Sequence, residues 1–416
     1  MTTQVQRIPK RIQNKAVQFQ RTANGSESNA EKSGIKSDRD GIGSGGMSIL
    51  GNLGVPYTFI ALLIAAMMNS GCNKQSNELR NNMLNGSRNE HEFPEGRITG
   101  NYVQNNLVSD ISDFHPARID MTLVNAWGIA INPNGIFWIN SNGGNNSEVY
   151  DMNGVPKRPP VSVPSPTGIV FNGTSDFIIP ATSQVGKFIF ASENGKIYAW
   201  ASGDSARTVV NRSSFNAVYK GIELANDGSA NYLYATDFHN GKIDVFDKSF
   251  NLVNSKPFID PTIPAGFAPF NIRLIDDELY VTYAKQLAPE NHDDQKGPGN
   301  GFVNIFKTDG SLLKRFISQG VLNSPWGIEK APGGFGQGDD IILVGNFGDG
   351  HINIFKEDRG KFLKPLKSNG MPIMIDGLWA ITFPDKRVPG DNPNKLYFSA
   401  GPNGEADGLF GYLIQQ

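Results

Sequence analysis

Between Trp127 and the C-terminus the apolar positions fall into six similar units, each a short apolar run followed by a strand, a polar turn and a second strand. The runs read WGIAI from Trp127, TGIVF from Thr167, KGIEL from Lys220, FNIRL from Phe270, WGIEK from Trp326 and WAITF from Trp379. The strand pairs that follow include FIFASENGKIYAW, LYATDFHNGKIDVF and ILVGNFGDGHINIF, whose Asn-Gly and Asp-Gly steps are hairpin signals. Successive starts lie 40 to 56 residues apart, the length of a four-stranded propeller blade and too long for a two-helix repeat. The pattern predicts an all-β fold, a six-bladed β-propeller over residues 101–416. The sixth unit holds strands only at 379–383, 396–399 and 409–414, whereas the segment Tyr102 to Ser109 (YVQNNLVS) has no partner in its own blade. Because an open ring leaves an edge that recruits other chains, this strand is expected to complete the last blade as an N-terminal clasp.

The first hundred residues follow another pattern. Residues 1–46 carry eight Lys/Arg against four Asp/Glu, show no sustained apolar period and are expected to be disordered, or to precede the true start if that is Met47. An uncharged stretch from Val55 to Met68 is about 14 residues long, short of the roughly 20 that span a bilayer. It fits the apolar region of a signal peptide, so residues 47–72 are read as a lipoprotein-like export signal. Cys72, the chain's single cysteine, follows it directly and is the candidate lipidation site; an uncleaved anchor is the alternative. Residues 73–100 are a polar linker, and the propeller is placed outside the cytoplasm, in the cell envelope or secreted, touching the membrane only through its N-terminal segment. Without cysteines the propeller relies on burial and ring closure. A net charge of −2 offers no basic field, which argues against nucleic acid as a partner, and the chain is read as a monomer.

Several long strings, among them GIVFNGTSDF at Gly168, TDFHNGKIDVFD at Thr236, NSPWGIEKAPGGFG at Asn323, VGNFGDGHINIF at Val344 and LYFSAGPNGEADGLFG at Leu396, closely resemble an uncharacterised bacterial propeller family. The resemblance covers almost all of residues 101–414. It implies an exported six-bladed propeller, often carrying a C-terminal PEP-CTERM sorting signal, and it implies no established activity. This chain departs at Gln416, where no such signal is seen, and Cys72 is the anchor expected instead. More distantly, the blades look like NHL-repeat and gluconolactonase-type propellers.

Function in a propeller is expected where the loops between second and third strands converge around the channel. Those loops place Asn140 and Asn142, Ser192 and Glu193, Asp237 and His239, Lys285, Asn346 and Asp349, and Asn403, Glu405 and Asp407. The fourth is unusually long, KQLAPENHDDQKGPGNG from Lys285 to Gly301, and its His292, Asp293 and Asp294 suit an acid/base pair, a metal site or a solvated tip. Asp237 reads either as a turn cap or as the partner that orients His239. Glu405 and Asp407 offer oxygen ligands of the kind calcium takes, without the spacing of a helix-flanked calcium loop. Trp127, Trp326 and Trp379 are expected to be buried between blades.

The chain has no Gly-x-Ser-x-Gly elbow, no phosphate-cradling loop and no His-Glu-x-x-His helix, and the lack of further cysteines excludes thiolate zinc sites. Two readings remain. One is a propeller that binds a small polar ligand, a glycan or a surface protein through its loop face, with candidate contacts Asn140, Asn142, Asp237, His239, Lys285, His292, Asp293, Asn346 and Asp349. The other is a hydrolase of the lactonase or phosphoesterase kind that uses calcium or another divalent metal, with Asp237, His239, Glu405 and Asp407 as ligands.

Overall fold

The computed structural model describes residues 100–336, 340–384 and 390–416; Cys72, the apolar stretch and most of the linker lie outside them. Six antiparallel sheets form the blades of an all-β propeller. Blade 1 runs outward from Ala126–Ile131 through Phe137–Ser141 and Asn146–Tyr150 to Val161–Ser162, and blade 2 from Pro166–Phe171 through Phe188–Ser192 and Lys196–Trp200 to Arg207–Asn211. Blades 3, 4 and 5 begin at Tyr219–Asn226, Phe267–Ile275 and Pro325–Lys330. In blade 6, Leu378–Thr382, Leu396–Ala400 and Leu409–Gln415 are followed outward by Tyr102–Ser109, which runs antiparallel to the last of them from Tyr102 opposite Gln415 to Ser109 opposite Leu409. A short strand that the hydrophobic pattern does not announce, Arg118–Ile119, adds a fifth, parallel member at that edge.

Each inner strand breaks register at the repeated motif, as between Ala126 and Ile129, Tyr219 and Ile222, and Leu378 and Ile381. Such bulges re-aim side chains, here where the blades crowd around the axis. Small residues follow because inner strands come very close: a Cβ on Gly168 would lie 2.8 Å from the Ile222 nitrogen, and one on Gly128 would run into the Thr167 carbonyl. Trp127, Trp326, Trp379, Phe238, Phe270 and Phe347 fill the centre as one buried cluster, as expected for the three tryptophans, and further aromatic and aliphatic clusters lie between neighbouring blades.

Side chains next to the bulges stitch one blade to the next. Asn140 Nδ2 donates to the Thr167 carbonyl at 2.8 Å, Thr167 Oγ1 to Tyr219 at 2.8 Å, Thr236 Oγ1 to Phe270 at 3.2 Å and Asn271 Nδ2 to Trp326 at 2.8 Å. Ser399 Oγ donates to the Trp127 carbonyl and so joins the last blade to the first. In a water-poor interior these bonds satisfy carbonyls that the bulges leave unpaired. Asn140, expected among the ligand contacts, is fully buried and links two blades.

Candidate functional site

The inner strands place one side chain each at the equivalent motif position: Trp127, Thr167, Lys220, Phe270, Trp326 and Trp379. Lys220 is the one cation in this ring, and it is 2% exposed. A bare ammonium at such burial would shed its proton. Here burial does pull Lys220 downward, yet Glu193 first and Asp293 next pull harder, and the net shift is upward, so the lysine stays charged. Its Nζ contacts Glu193 Oε1, lies 3.4 Å from Asp293 Oδ1 and sits 5.2 Å from the centre of the Trp127 ring. Glu193, pushed up by burial, is brought below its ordinary value by Lys220, and its second oxygen accepts from Asn142 Nδ2 at 2.9 Å.

The long fourth loop supplies the cover. Gln286 Nε2 donates to the Phe238 carbonyl at 2.6 Å, and the Glu290 carbonyl meets His239 Nδ1 at 2.9 Å, which ties one side of the loop to blade 3. On the other side Gly297 N–H donates to Asn323 Oδ1 at 2.7 Å, and Lys296 Nζ lies 4.0 Å from the centre of the Phe347 ring of blade 5. In between, Asp293 reaches down to Lys220 while His292 Nδ1 meets Asp293 Oδ1 at 3.0 Å, with both side chains largely open to solvent. His292 is raised by that hydrogen bond, and Asp293 is lowered by it to about 2. Asp294, next along the same loop, is raised by burial. Glu405, on the turn Pro402–Glu405, accepts from Asn125 Nδ2 at 2.8 Å. Burial raises its pKa, Lys220 eases it, and the negative charges of Glu193 and Asp293 push it up further.

The pH dependence of the exposed pair has a definite sign. A histidine raised in the fold contributes stability fully below its unfolded pKa, about 6.5, and loses it as pH climbs through the higher folded value. The stability difference between wild type and His292→Ala should therefore be present at pH 5.5 and fade above neutrality. A pH series of urea unfolding curves checks this; a difference that grows with alkalinity would show that Asp293 does not hold the imidazolium.

Of the residues singled out in the sequence, the structure gathers Asn142, His292 and Asp293 at the mouth with Glu193. It does not bring together the four ligands expected for a metal. Asp237 is buried as a turn cap, accepting from Val218 N at 3.1 Å, Asn240 N at 3.3 Å and Asn240 Nδ2 at 2.7 Å. His239 holds the Glu290 carbonyl, and Asp407 accepts from Asn403 Nδ2 at 2.7 Å within its own turn. Asn346 and Asp349 likewise close their turn, Asn346 Nδ2 donating to Asp349 Oδ1 at 3.1 Å and Asp349 accepting from the His351 N–H at 3.1 Å, while Asn346 Nδ2 also reaches the Val321 carbonyl of a neighbouring loop at 2.8 Å. Lys285 lends its carbonyl to Gln295 N at 2.7 Å. Among the described residues, the metal-compatible grouping is Glu193, His292 and Asp293, whose ligand atoms lie within 4.8 Å of one another. Lys220 lies on an inner strand, outside the turns, and its signal in the sequence is a lysine standing where the other units carry Trp, Phe or Thr.

No family model matches the sequence. The chain is 33% identical over 344 residues to the uncharacterised protein L690 of Acanthamoeba polyphaga mimivirus, covering 78% of this chain and 88% of that protein. It is also 33% identical over 346 residues to the uncharacterised protein R648 of the same virus, covering 78% and 82%. Among solved structures, a streptogramin B lyase is similar at 14% identity with a TM-score of 0.47, covering 77% of this chain and all of that one. A putative gluconolactonase is similar at 12% identity with a TM-score of 0.46, covering 71% and 89%. The relatives are viral, and nothing in them supports the bacterial or sorting-signal kinship suggested by the resemblance. With a third of the positions shared along nearly the whole length of L690, the chain belongs to the family of that mimivirus protein.

Proposed function

We propose that the chain is a ligand-binding propeller, extracytoplasmic and tethered through Cys72, whose site is the covered mouth built on Lys220. The observation that supports this reading is the buried Lys220 ammonium, held between Glu193 and Asp293 beneath the solvent-facing His292. Three carboxylates, Glu193, Asp293 and Glu405, act on one another around a single lysine, and that surplus of acceptors suits a ligand rich in donors, such as a glycan or another polyol. Asn142 and Asn125 fix two of those carboxylates in orientation.

The grouping of Glu193, His292 and Asp293 keeps a metal-dependent hydrolase in view. Against it stands Lys220, whose ammonium already contacts both carboxylates and fills the electrostatic role of a cation. One experiment separates the two: thermal unfolding of the full chain with a chelator, with calcium, magnesium or zinc, and with a panel of soluble oligosaccharides. A ligand that binds only the native state raises Tm by mass action. The binding reading expects a rise with an oligosaccharide that Glu193→Gln and Asp293→Asn abolish, and none with metals. A rise with a metal that the same substitutions remove would replace it with the hydrolase reading.

A further inference from the structure

Residues 118–125 carry the chain from the outer edge of blade 6 to the first strand of blade 1, and side-chain oxygens fasten them there. Asn146, Glu148 and Tyr150 alternate onto one face of the third strand of blade 1. Glu148 is 2% exposed, and Tyr150 is fully buried. From the crossing segment, Thr122 Oγ1 lies 2.6 Å from Glu148 Oε1 and 2.6 Å from Asp120 Oδ1. A hydroxyl has a single proton and donates once, whereas an ionised carboxylate only accepts. One of the two contacts therefore needs a proton carried by the carboxyl group itself. Asp120 already accepts from Tyr150 Oη at 2.8 Å and from the Thr122 N–H at 3.1 Å, and it is only half-buried, so the proton belongs on Glu148. Burial pushes the Glu148 carboxyl up to about 7, and the other groups acting on it, Thr122, Asp120 and Asn146, include no cation. The Tyr150 hydroxyl is raised by burial and then by Glu148 and Asp120; Arg118, which eases it, donates its Nε to the Gly154 carbonyl at 3.2 Å.

We propose that Glu148, Thr122 and Asp120 are a pH-sensitive latch that holds the crossing segment on blade 1. Closed, the Glu148 carboxyl donates its proton to Thr122 Oγ1, and the Thr122 hydroxyl donates to Asp120. Open, Glu148 has given that proton to solvent, two carboxylates compete for one hydroxyl, and the segment loosens. The same segment carries Asn125, which accepts from Trp379 and holds Glu405, so the latch also steadies a side chain of the mouth.

Glu148→Gln keeps a donor facing Thr122 and cannot ionise, which fixes the latch closed at every pH. The sign follows from linkage. Above about pH 4.3 the unfolded chain has released a proton that the fold still holds, so wild type loses stability as pH climbs towards the folded value and the variant does not. Urea unfolding of the full chain should show the gap in unfolding constant widening in favour of Glu148→Gln, by at least about tenfold between pH 5.5 and pH 8. The amides of Leu123, Val124 and Asn125 should exchange alike in the two proteins at pH 5.5 and faster in wild type at pH 8. Placing Asp120→Asn in both proteins removes the neighbouring charge, keeps an acceptor, and should shrink the gap. A gap that is constant with pH, or one that Asp120→Asn leaves unchanged, would overturn the latch. So would calcium that stabilises wild type and not Glu148→Gln at pH 8, since the pair would then hold a cation and not a proton.

Discussion

Replacing Lys220 by methionine should cost the propeller about 3 to 5 kcal/mol, because it leaves the Glu193 carboxylate in the interior without its countercharge. Methionine fills the space of the lysine stem, so the loss reports the ion pair and not a cavity. Glu193 keeps Asn142 as a donor, which alone does not offset the burial of a charge. The double variant Lys220→Met/Glu193→Gln should recover most of that cost, since a neutral amide needs no countercharge. Urea unfolding of the two variants measures both numbers. The same substitution also cuts the central tie of the fourth loop, and backbone amides around Asp293 should exchange faster in Lys220→Met than in wild type. A cost under about 1 kcal/mol would mean that Glu193 is hydrated or protonated in the fold, and that Lys220 does not organise the mouth.

The fold was legible because each blade repeats the same alternation of apolar strand and turn, and six repeats leave few alternatives. The turn residues were legible for a related reason. Asp237 and Asn346 fall where a tight turn needs a cap, and in the structure each bonds within its own turn, Asp237 to Asn240 and Asn346 to Asp349. That same regularity hides the site. A polar residue beside a turn looks the same in sequence whether it faces the channel or its own backbone, and the bulge that decides between the two is set by packing around the axis. Asn140 shows this most clearly, since its amide links two blades. Asn142, two positions later in the turn that follows the strand, reaches across to Glu193. His292 and Asp293 were legible through the length of their loop. Lys220 was not, because its partners Glu193 and Asp293 are 27 and 73 residues away along the chain. The tie between them exists only once the ring has formed.

Trp379 is the position at which a single truncation should be felt most broadly. Its ring lies between two others, 3.6 Å from the centre of Trp127 and 3.8 Å from that of Phe347, each at 15°. Three blades therefore meet on one side chain that is 1% exposed. Trp379→Ala removes a fully buried indole and should cost about 3 to 5 kcal/mol, toward the upper end because bulged inner strands already in close contact have little room to collapse into the space. Trp379→Phe keeps a ring in the stack and isolates the polar part of the role. The indole Nε1 donates to Asn125 Oδ1 at 2.9 Å, and Asn125 Nδ2 in turn holds Glu405. Losing that donor leaves a buried amide oxygen unsatisfied, about 1 to 3 kcal/mol, and frees Glu405 to turn away from the mouth. Trp379→Phe should accordingly weaken ligand binding at the mouth by more than its effect on stability suggests, whereas substitutions in the outer strands should not. Chemical unfolding and oligosaccharide titration of the two variants side by side measure this. Equal stability losses for Phe and Ala would show that the hydrogen bond to Asn125, and not the stack, is what Trp379 contributes.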